Sequence, residues 1–406
     1  MKRFDLVLKG GQVIDPAQRL NARRDVGIRD GRIALVAPAI KAEAAREAMD
    51  VQGQVVTPGL IDLHTHVLEH FTDYGLNADR VGVHSGVPTV VDMGSAGHLT
   101  FPGFKKFVAE SAKTRVLCFL SINAYGGING SARLDIQHSP ATVEPELTAA
   151  TIKRHPDLIR GVKTHAEIGG ASRWGLAVLK QAVEVAEAAG VPLYVHTGQL
   201  MPPVPGSRLH PDDVLPKALP LLRPGDVIAH PFSMMPGGIL RSDGKVHPAV
   251  KDAVRAGVRI DVAHGLHFSF TAARRALDQG VRPFIVSTDG HGETPPYQGS
   301  IDNSLATTMS KLLALGFTLP EVVAMATANP ASVLGLAGTL GTLKPGAPAD
   351  VSVLRVLEGR WTFRDQKGET LKGSRKLVPT LVVRGGELVG INPALFPNPD
   401  LVLGRV

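Results

Sequence analysis

The segment "TPGLIDLHTHVLEH" (residues 57–70) carries two histidines one residue apart, at the point where an apolar run ends. The part "GLIDL" is predicted to be a short buried strand, whose start is marked by a proline and a glycine. Because side chains alternate between the two faces of a strand, His64 and His66 point the same way. Two imidazoles on one face of a strand end form either half of a metal site or a pair of core histidines.

Seven further segments have the same strand-like character. With the first, they are "GLIDLHTH", "VPTVVDMG", "VLCFLSIN", "LIRGVKTH", "VPLYVHTG", "DVIAHPF", "VRIDVAHG" and "PFIVSTDG". Helical patterns such as "WGLAVLKQAVEVAEAAG" and "HPAVKDAVRAG" separate most of them. Eight parallel strand–helix units over roughly 280 residues predict an α/β fold of the (β/α)8 TIM-barrel type, whose usual size is about 250 residues. A doubly wound open sheet is the structural alternative, but nothing here resembles its glycine-rich nucleotide fingerprint.

The two ends of the chain are predicted to be all-β. The first has alternating segments and a hairpin centred on Asp30 and Gly31, and the β pattern returns from about Gly341. Neither end has enough material for a core of its own. We therefore expect residues 1–56 and 341–406 to pair into one small β-sandwich domain, and residues 57–340 to form the barrel.

Composition narrows the class of protein. The 406-residue chain is 44% hydrophobic, as folded domains are, and no apolar run approaches the ~20 residues that a membrane span needs. Its N-terminus lacks the long apolar core of a signal peptide, so a cytoplasmic protein is expected. The single cysteine, Cys118, excludes an internal disulfide framework and lies in a predicted buried strand. The formal charge of +7 is scattered, which favours an anionic small molecule over nucleic acid as the partner.

Ionisable residues stand at the ends of five predicted strands. They are His64 and His66 in strand 1, Lys163 in strand 4, His196 in strand 5, His230 in strand 6 and Asp289 in strand 8. Active sites of such barrels lie at the carboxyl ends of the strands, so these side chains are expected to share one mouth. Alone, His196 could be a core histidine, Lys163 a solvated lysine and Asp289 a helix cap. Chance does not explain all six together.

These motifs resemble those of the amidohydrolase superfamily of metal-dependent hydrolases. The resemblance covers "PGLIDLHTH", "GVPTVVDMGSAG", "GVKTH", "VHTG", "AHPF" and "STDGH", together with "ATANPASVLGL" and "GTLKPGAPADVSVL" near the C-terminus. It implies two divalent metal ions, with zinc as the expected metal. It also implies an N6-carboxylysine at Lys163 that bridges both ions, because an ammonium group would repel them whereas a carbamate supplies an anionic oxygen.

The resemblance also implies a role for each site residue. The more buried ion would be bound by His64, His66 and Asp289, and the more exposed one by His196 and His230. A hydroxide shared by the two ions would attack the substrate, with Asp289 as general base and then general acid.

Two positions of this sequence differ from the residues that are typical of particular subgroups, and these differences restrict the expected activity. Dihydroorotase-type enzymes carry an arginine two residues after the second histidine, where this chain has Leu68, and adenosine-type deaminases carry a glutamate where it has Gln199. The segment "VVDMGSAGHLTFPGF" is similar to the amidohydrolase/deacetylase subgroup. We therefore predict hydrolysis of an amide or ester bond of an acylated amino acid or acylated α-hydroxy acid. The alternative is a cyclic amide hydrolase of the hydantoinase or dihydroorotase type. A non-catalytic scaffold relative is disfavoured because all six ligand positions are intact.

Loops after strands 3, 4 and 7 are expected to complete the pocket. The candidate substrate-binding or supporting residues are Tyr125, His165, His264 and His291, with His264 preferred over His267. The candidate carboxylate partners are Arg133 and Arg173. The histidines interpreted as solvated or capping are His70, His84, His98, His138 and His155. We expect a small, carboxylate-bearing substrate and neither a nucleic acid nor a membrane as partner; a homo-oligomer stays open.

Overall fold

The structure is a computed structural model that describes residues 2–128, 138–292 and 304–395. Arg133 lies outside the described residues. Two β-sheets organise the described chain, one of eight strands and one of seven.

The eight-stranded sheet collects both ends of the chain. Its strands are β1 (Phe4–Asp15), β2 (Leu20–Arg29), β3 (Arg32–Ala37), β4 (Ala45–Asp50), β5 (Val55–Pro58), β13 (Val351–Arg364), β14 (Thr370–Arg384) and β15 (Glu387–Val389). They follow the order β15-β14-β13-β5-β1-β2-β3, with β4 paired to β1. The antiparallel pairing of β13 with β5 joins the two chain ends, as predicted. Asp30 and Gly31, at φ 50° and 70°, form the predicted turn between β2 and β3.

The seven-stranded sheet is parallel throughout, and its strands neighbour one another in chain order. They are β6 (Ile61–Thr65), β7 (Thr89–Met93), β8 (Arg115–Ser121), β9 (Ile159–Ala166), β10 (Leu193–Thr197), β11 (Val227–Ala229) and β12 (Arg259–Asp261). The eighth predicted strand makes single parallel bridges instead of a ladder, from Ile285 to Asp261 and from Gly290 to Thr65. Residues 285–290 therefore lie between the two edge strands and complete the predicted barrel.

Most of the helices cover the outside of the parallel sheet, whereas the last one contributes Ala331 and Val333 to the apolar cluster inside the barrel. They are α1 (Ala78–Val81), α2 (Phe101–Phe104) with a π-helical turn at Lys105–Ala109, α3 (Pro145–Arg154), α4 (Ile168–Trp174), α5 (Ala177–Ala189), α6 (Val214–Ala218), α7 (Pro248–Arg255), α8 (Phe270–Asp278), α9 (Leu305–Ala314), α10 (Leu319–Met325) and α11 (Ala328–Val333). Short 3-10 turns lie at Pro16–Gln18, Ala42–Ala44, Val83–Ser85, Pro140–Thr142, Pro211–Asp213, Leu219–Leu221 and Pro393–Leu395. The two helices predicted from periodicity are α5 and α7. Within the described ranges, no helix is long and apolar enough to cross a membrane.

The barrel interior is packed and not hollow. One apolar cluster lies between the strands and the outer helices, and it contains Cys118 at 1% exposure. A smaller cluster inside the barrel includes Leu63, Phe119, Tyr194 and Ile285. This cluster fills the barrel interior beneath the carboxyl ends of the strands, as side chains do in other barrels of this type. The division of the chain at residues 56/57 and 340/341 stays a prediction.

Candidate metal centre

A ring of buried ionisable residues stands at the carboxyl ends of the parallel strands. They are His64 in β6, His66 just after it, Lys163 in β9, His196 in β10, His230 just after β11, and Asp289 in the 285–290 segment. All but His66 are at most 5% exposed. Groups of this kind are rarely buried without partners, so their contacts decide what the site can do.

The first candidate triad consists of His64, His66 and Asp289, whose ligand atoms all lie within 4.8 Å of one another. Asp289 Oδ1 lies 3.0 Å from His64 Nε2 and 3.3 Å from His66 Nε2. His64 Nε2 nevertheless makes no well-aligned hydrogen bond. Lone pairs that converge on one point without bonding one another fit the donor set of a divalent ion such as zinc.

The second candidate triad consists of His196, His230 and His267, again within 4.8 Å. The ring centroids of His196 and His230 are 4.4 Å apart, and those of His230 and His267 are 4.1 Å apart. His230 Nε2 and His267 Nδ1 are buried without a hydrogen-bond partner in the described chain. Such atoms need an explanation, and a cation among the three imidazoles provides one.

His267 was not among the ligands predicted from the sequence. The run "HGLH" after the seventh strand offers two histidines three residues apart, and nothing in the run says which of them faces the mouth. The structure turns His267 toward His230. The Nε2 atom of His264 instead lies 2.9 Å from Lys311 Nζ, and the His264 ring stacks on that of Phe268.

Lys163 is buried beside both triads. Burial lowers its pKa to about 8, and its Nζ lies 4.7 Å from the centre of the Tyr194 ring. Burial chiefly lowers the pKa of His64 and of His196, one member of each triad, and the charge of Lys163 lowers both further. Among the described residues, no carboxylate lies within 4.0 Å of Lys163 Nζ. Its side chain passes over Gly94, where a Cβ atom would come within 2.6 Å of Lys163 Cγ.

Backbone carbonyls fix the tautomers of the second triad. His230 Nδ1 lies 2.7 Å from the carbonyl oxygen of Ala263, and His196 Nε2 lies 3.0 Å from that of Gly198. A carbonyl can only accept, so each of these nitrogens carries the proton. The lone pairs of His230 Nε2 and His196 Nδ1 are therefore left for a metal ion.

His64 is oriented by a chain of buried hydrogen bonds. Its Nδ1 lies 3.0 Å from the hydroxyl oxygen of Tyr194, and that hydroxyl donates to Asp261 Oδ2 at 2.8 Å. Ser287 Oγ lies 2.7 and 2.8 Å from the two oxygens of Asp261. Because the tyrosine proton goes to the carboxylate, the tyrosine oxygen accepts from His64 Nδ1–H, which leaves Nε2 deprotonated. Such outer partners commonly fix the tautomer of metal-binding histidines.

The other two members of the first triad are also backed by buried carboxylates. His66 Nδ1 lies 3.0 Å from Ser95 Oγ, and the Ser95 backbone N–H donates to Asp92 Oδ1 at 2.8 Å. Asp62 accepts from the N–H and the hydroxyl of Thr288, at 3.0 and 2.6 Å, directly before Asp289. Burial raises the pKa of Asp62 to about 7. His66 is thus positioned through Ser95 and Asp92, and the backbone before Asp289 is positioned by Asp62.

Strained backbone occurs at three positions of the site. His230, Ala263 and Asp289 have φ of 61°, 40° and 47°. Residues other than glycine rarely adopt this left-handed region, at a cost of about 1–3 kcal/mol each. Two of the three are candidate ligands and the third supplies the carbonyl that orients His230. The strained backbone conformations therefore occur at residues that are candidate metal ligands or that orient one.

The protonation states suit metal binding. Burial lowers the pKa of His64 to about 3, and it lowers those of His196, His230 and His267 as well. Burial opposes ionisation of Asp289, but the neighbouring His64 and His66 outweigh it and hold the Asp289 pKa well below its usual range. These shifts favour neutral imidazoles at His64, His196, His230 and His267 and an anionic carboxylate at Asp289, which are the forms that bind metal ions.

The remaining candidates lie at different distances from the triads. The ring of His165 is 5.4 Å from that of His196, and the ring of His291 is 6.2 Å from that of His66. Burial, above all, lowers the pKa of His291 to about 4. Tyr125 lies on the loop after β8 and is 38% exposed. His264 is fully buried.

Two histidines interpreted as solvated or capping are buried instead. His138 is 6% exposed and its ring lies 5.0 Å from that of His165, while His98 is 8% exposed with its Nε2 3.0 Å from Glu144 Oε2. Local sequence could not show either environment, since the partners come from other elements. Arg173 donates from Nη1 to the carbonyl oxygens of Gly169 and Pro202, at 2.8 and 3.0 Å.

Tyr194→Phe is expected to weaken metal retention without unfolding the protein. The change removes only the oxygen that accepts from His64 Nδ1 and leaves the aromatic packing. Loss of such an outer partner costs about 10–100-fold in metal affinity. The measurement is metal content after dialysis against graded chelator. Tyr125→Phe is the control, because its half-exposed ring touches neither triad and should leave retention unchanged. Equal retention in the two variants would refute the role of Tyr194.

Comparison with known proteins places this geometry in a family. Residues 251–389 match the Amidohydrolase family. A deacetylase of Agrobacterium fabrum (strain C58 / ATCC 33970) is 30% identical over 361 residues, which cover 89% of this chain and 85% of the relative. The crystal structures of an adenine deaminase and of a dihydroorotase are each 28% identical and cover 95% of this chain and 99% of theirs, with TM-scores of 0.81 and 0.82. The similar proteins are named a deacetylase, an adenine deaminase and a dihydroorotase, so the choice among these activities depends on the residues of the site.

Proposed function

The chain belongs to the amidohydrolase superfamily and is a metal-dependent hydrolase, and from that premise we propose that it removes an acyl group from an acylated amino acid or an acylated α-hydroxy acid. The observation that carries the proposal is the presence of two candidate metal triads at one barrel mouth, in a chain whose relative is named a deacetylase. The substrate is a small, carboxylate-bearing molecule, in keeping with the net charge of +7.

The metal centre in this proposal is binuclear. One ion would be held by His64, His66 and Asp289, and the other by His196 and His230, with His267 as a further imidazole. Zinc is proposed because imidazole nitrogens and a carboxylate oxygen are the ligands it prefers. When bound, two such ions polarise a carbonyl and lower the pKa of water toward neutrality.

Lys163 is proposed to be N6-carboxylated and to link the two ions. Three observations support this: the amine is buried, it lies within electrostatic reach of both triads, and burial favours its neutral form. A neutral amine is the form that adds carbon dioxide. The resulting carbamate supplies the negative charge that an uncharged cluster of histidines lacks.

Asp289 moves the proton in the proposed reaction. Its Oδ1 lies between the two histidines, whereas its Oδ2 lies against Gly265, which has no side chain to block it. The carboxylate takes the proton of the attacking water and returns it to the leaving nitrogen or oxygen, as general base and then acid. The hydrogen bonds from Thr288 to Asp62 hold the preceding backbone and so fix where Asp289 stands.

A substrate panel tests the proposed activity. We expect acetate release from at least one N-acetyl amino acid or O-acetyl α-hydroxy acid, tested as separate enantiomers. Chelator should abolish this release and zinc should restore it. Hydantoin and dihydroorotate are assayed in parallel. Ring opening of either compound with no acetate release from the acylated acids would overturn the proposal in favour of the cyclic amidase.

The cyclic amide hydrolase remains the second candidate because the dihydroorotase structure superimposes over 95% of this chain. Leu68 argues against it, since this apolar side chain is only 1% exposed. It cannot replace an arginine that grips a substrate carboxylate.

Lys163→Met is expected to remove the carbamate and to reduce metal content. Methionine keeps the apolar stem and loses the amine. With isotopically labelled bicarbonate, NMR should show one carbamate carbon per chain in the unmodified protein and none in the variant. Lys217→Met, at an exposed position, is the control and should keep both the signal and the metal. A signal that persists in Lys163→Met would contradict the assignment.

A further inference from the structure

A cavity of about 740 Å³ opens at the end of the barrel opposite the metal centre. It is lined by the first residues of β9 and β12 and by the residues just before β10 and β11. The candidate ligands stand at the other ends of these strands. Residues 332–335, at and after the end of α11, close one side. The volume lies within the about 300–1,000 Å³ that is usual for small-molecule pockets.

The charge of this cavity is strongly one-sided. Its cationic residues are Lys153, Arg160, Arg223 and Arg259. Its one acidic residue, Asp226, is already paired with Arg223, whose Nη2 lies 3.0 Å from Asp226 Oδ1. Within the described ranges, no carboxylate lies within 4.0 Å of the other three cations. Three positive charges therefore face one cavity without an ion pair within 4.0 Å in the described chain. Burial lowers the pKa of Arg160, and the more distant carboxylate of Asp157 acts against that shift.

Two of the guanidinium groups are held in fixed orientations. Arg160 donates from both Nε and Nη2 to the carbonyl oxygen of Leu334, with the Nε–O distance at 2.8 Å. Its Nη1 donates to the carbonyl oxygen of Pro156 at 2.6 Å. Arg259 lies over the ring of Phe284, with its Cζ 4.4 Å from the ring centre. Carbonyls and an aromatic face orient a guanidinium without neutralising it. A planar group fixed in this way is well suited to bind carboxylate or phosphate oxygens.

The rest of the wall is apolar and leaves room. It includes Ile152, Ile159, Val191, Pro192, Pro224 and Val333. At Gly190 and Gly225 no heavy atom lies within 4 Å of the position where a Cβ would stand. An occupant can therefore present a flat or apolar portion to this wall while its charged groups reach the cations.

We propose that this cavity binds a small organic anion with at least two negative charges and a flat or apolar portion, at a site separate from the metal centre. Aromatic phosphate esters and aromatic dicarboxylates share this chemistry. The proposal does not depend on the hydrolytic activity, because it uses none of the residues at the barrel mouth.

Calorimetric titration of the metal-loaded enzyme with naphthalene disulfonate tests the proposal. This probe combines a flat apolar ring with two charges, and sulfonates are weak metal ligands. We expect one site per chain. The double variant Lys153→Gln/Arg259→Gln should raise the Kd at least about tenfold, as expected when two charge-assisted contacts are lost. Arg360→Gln, exposed on β13, should leave the Kd unchanged. Displacement by adenosine monophosphate or by isophthalate then separates a phosphate ester from a dicarboxylate.

The absence of saturable binding to the unmodified protein would overturn the proposal, as would an equal Kd in the double variant. Both substituted residues are exposed, and kcat should be unaffected by their loss. Lys153→Gln alone breaks no contact in the described chain and should weaken binding in the same direction. This single variant keeps the test valid even where loss of the Arg259–Phe284 contact lowers stability.

Discussion

Asp289→Asn should leave the protein folded and much of its metal in place, while kcat falls by at least ~10²-fold, the lower end of what a general acid–base group contributes. The amide has nearly the shape of the carboxylate, so the left-handed backbone at φ 47° and the packing against Gly265 can persist. It cannot take a proton from water, and it no longer brings an anion to His64 and His66. Steady-state kinetics with metal analysis on the same sample measure both effects.

The matched control for this variant is Asp278→Asn at the exposed end of α8. It makes the same chemical change far from the mouth, so its kcat and metal content should be those of the unmodified protein. Near-normal turnover in Asp289→Asn with a full metal complement would rule out Asp289 as the proton-transfer group. Loss of all metal would instead show that the carboxylate acts mainly as a ligand.

Gly265→Ala should reduce kcat by about 10²-fold, the effect of displacing a catalytic group by about 1 Å. A Cβ at residue 265 would overlap Oδ2 of Asp289 and lie 2.7 Å from its Cγ. Because Asp289 is fixed from the other side by the contacts of Thr288 with Asp62, the carboxylate must move away from the two histidines. Kinetics and metal content before and after chelator treatment measure the loss.

Gly280→Ala is the control that separates backbone strain from the steric contact with Asp289. Gly265 has φ 36° and Gly280 has φ 83°, so an added methyl group strains the backbone at both positions. At Gly280 it meets no atom within 4 Å. We expect Gly280→Ala to lower stability slightly and to leave kcat unchanged. Equal losses of activity in the two variants would mean that backbone strain, and not the contact with Asp289, is responsible.

The strands and the joining of the chain ends were predictable because they depend on local patterns. Seven of the eight predicted strands form the parallel sheet, since an apolar run between helical segments reports burial directly. The last predicted strand, residues 283–290, makes only single bridges. Its backbone turns to the left-handed region at Asp289, and no composition signal announces such a turn.

Contacts made across the barrel could not be predicted from the sequence. His267 joins His196 and His230 because the loop after β12 turns its ring into the mouth. Tyr194 and Asp261 lie in strands 67 residues apart, and nothing local links them to His64. The sequence could suggest which residue types converge on the mouth, but the hydrogen bonds that orient them depend on the register of neighbouring strands. Oligomeric state and cellular compartment stay predictions.

Metal content per chain, measured on protein expressed with added zinc, distinguishes a binuclear centre from a mononuclear or empty one. We expect about two ions per chain, as binuclear hydrolases hold, and a clear reduction in Lys163→Met but not in Lys217→Met. About one ion per chain would contradict the bridged centre and favour a mononuclear, deaminase-like site. No bound metal under these conditions would contradict the assignment of both triads.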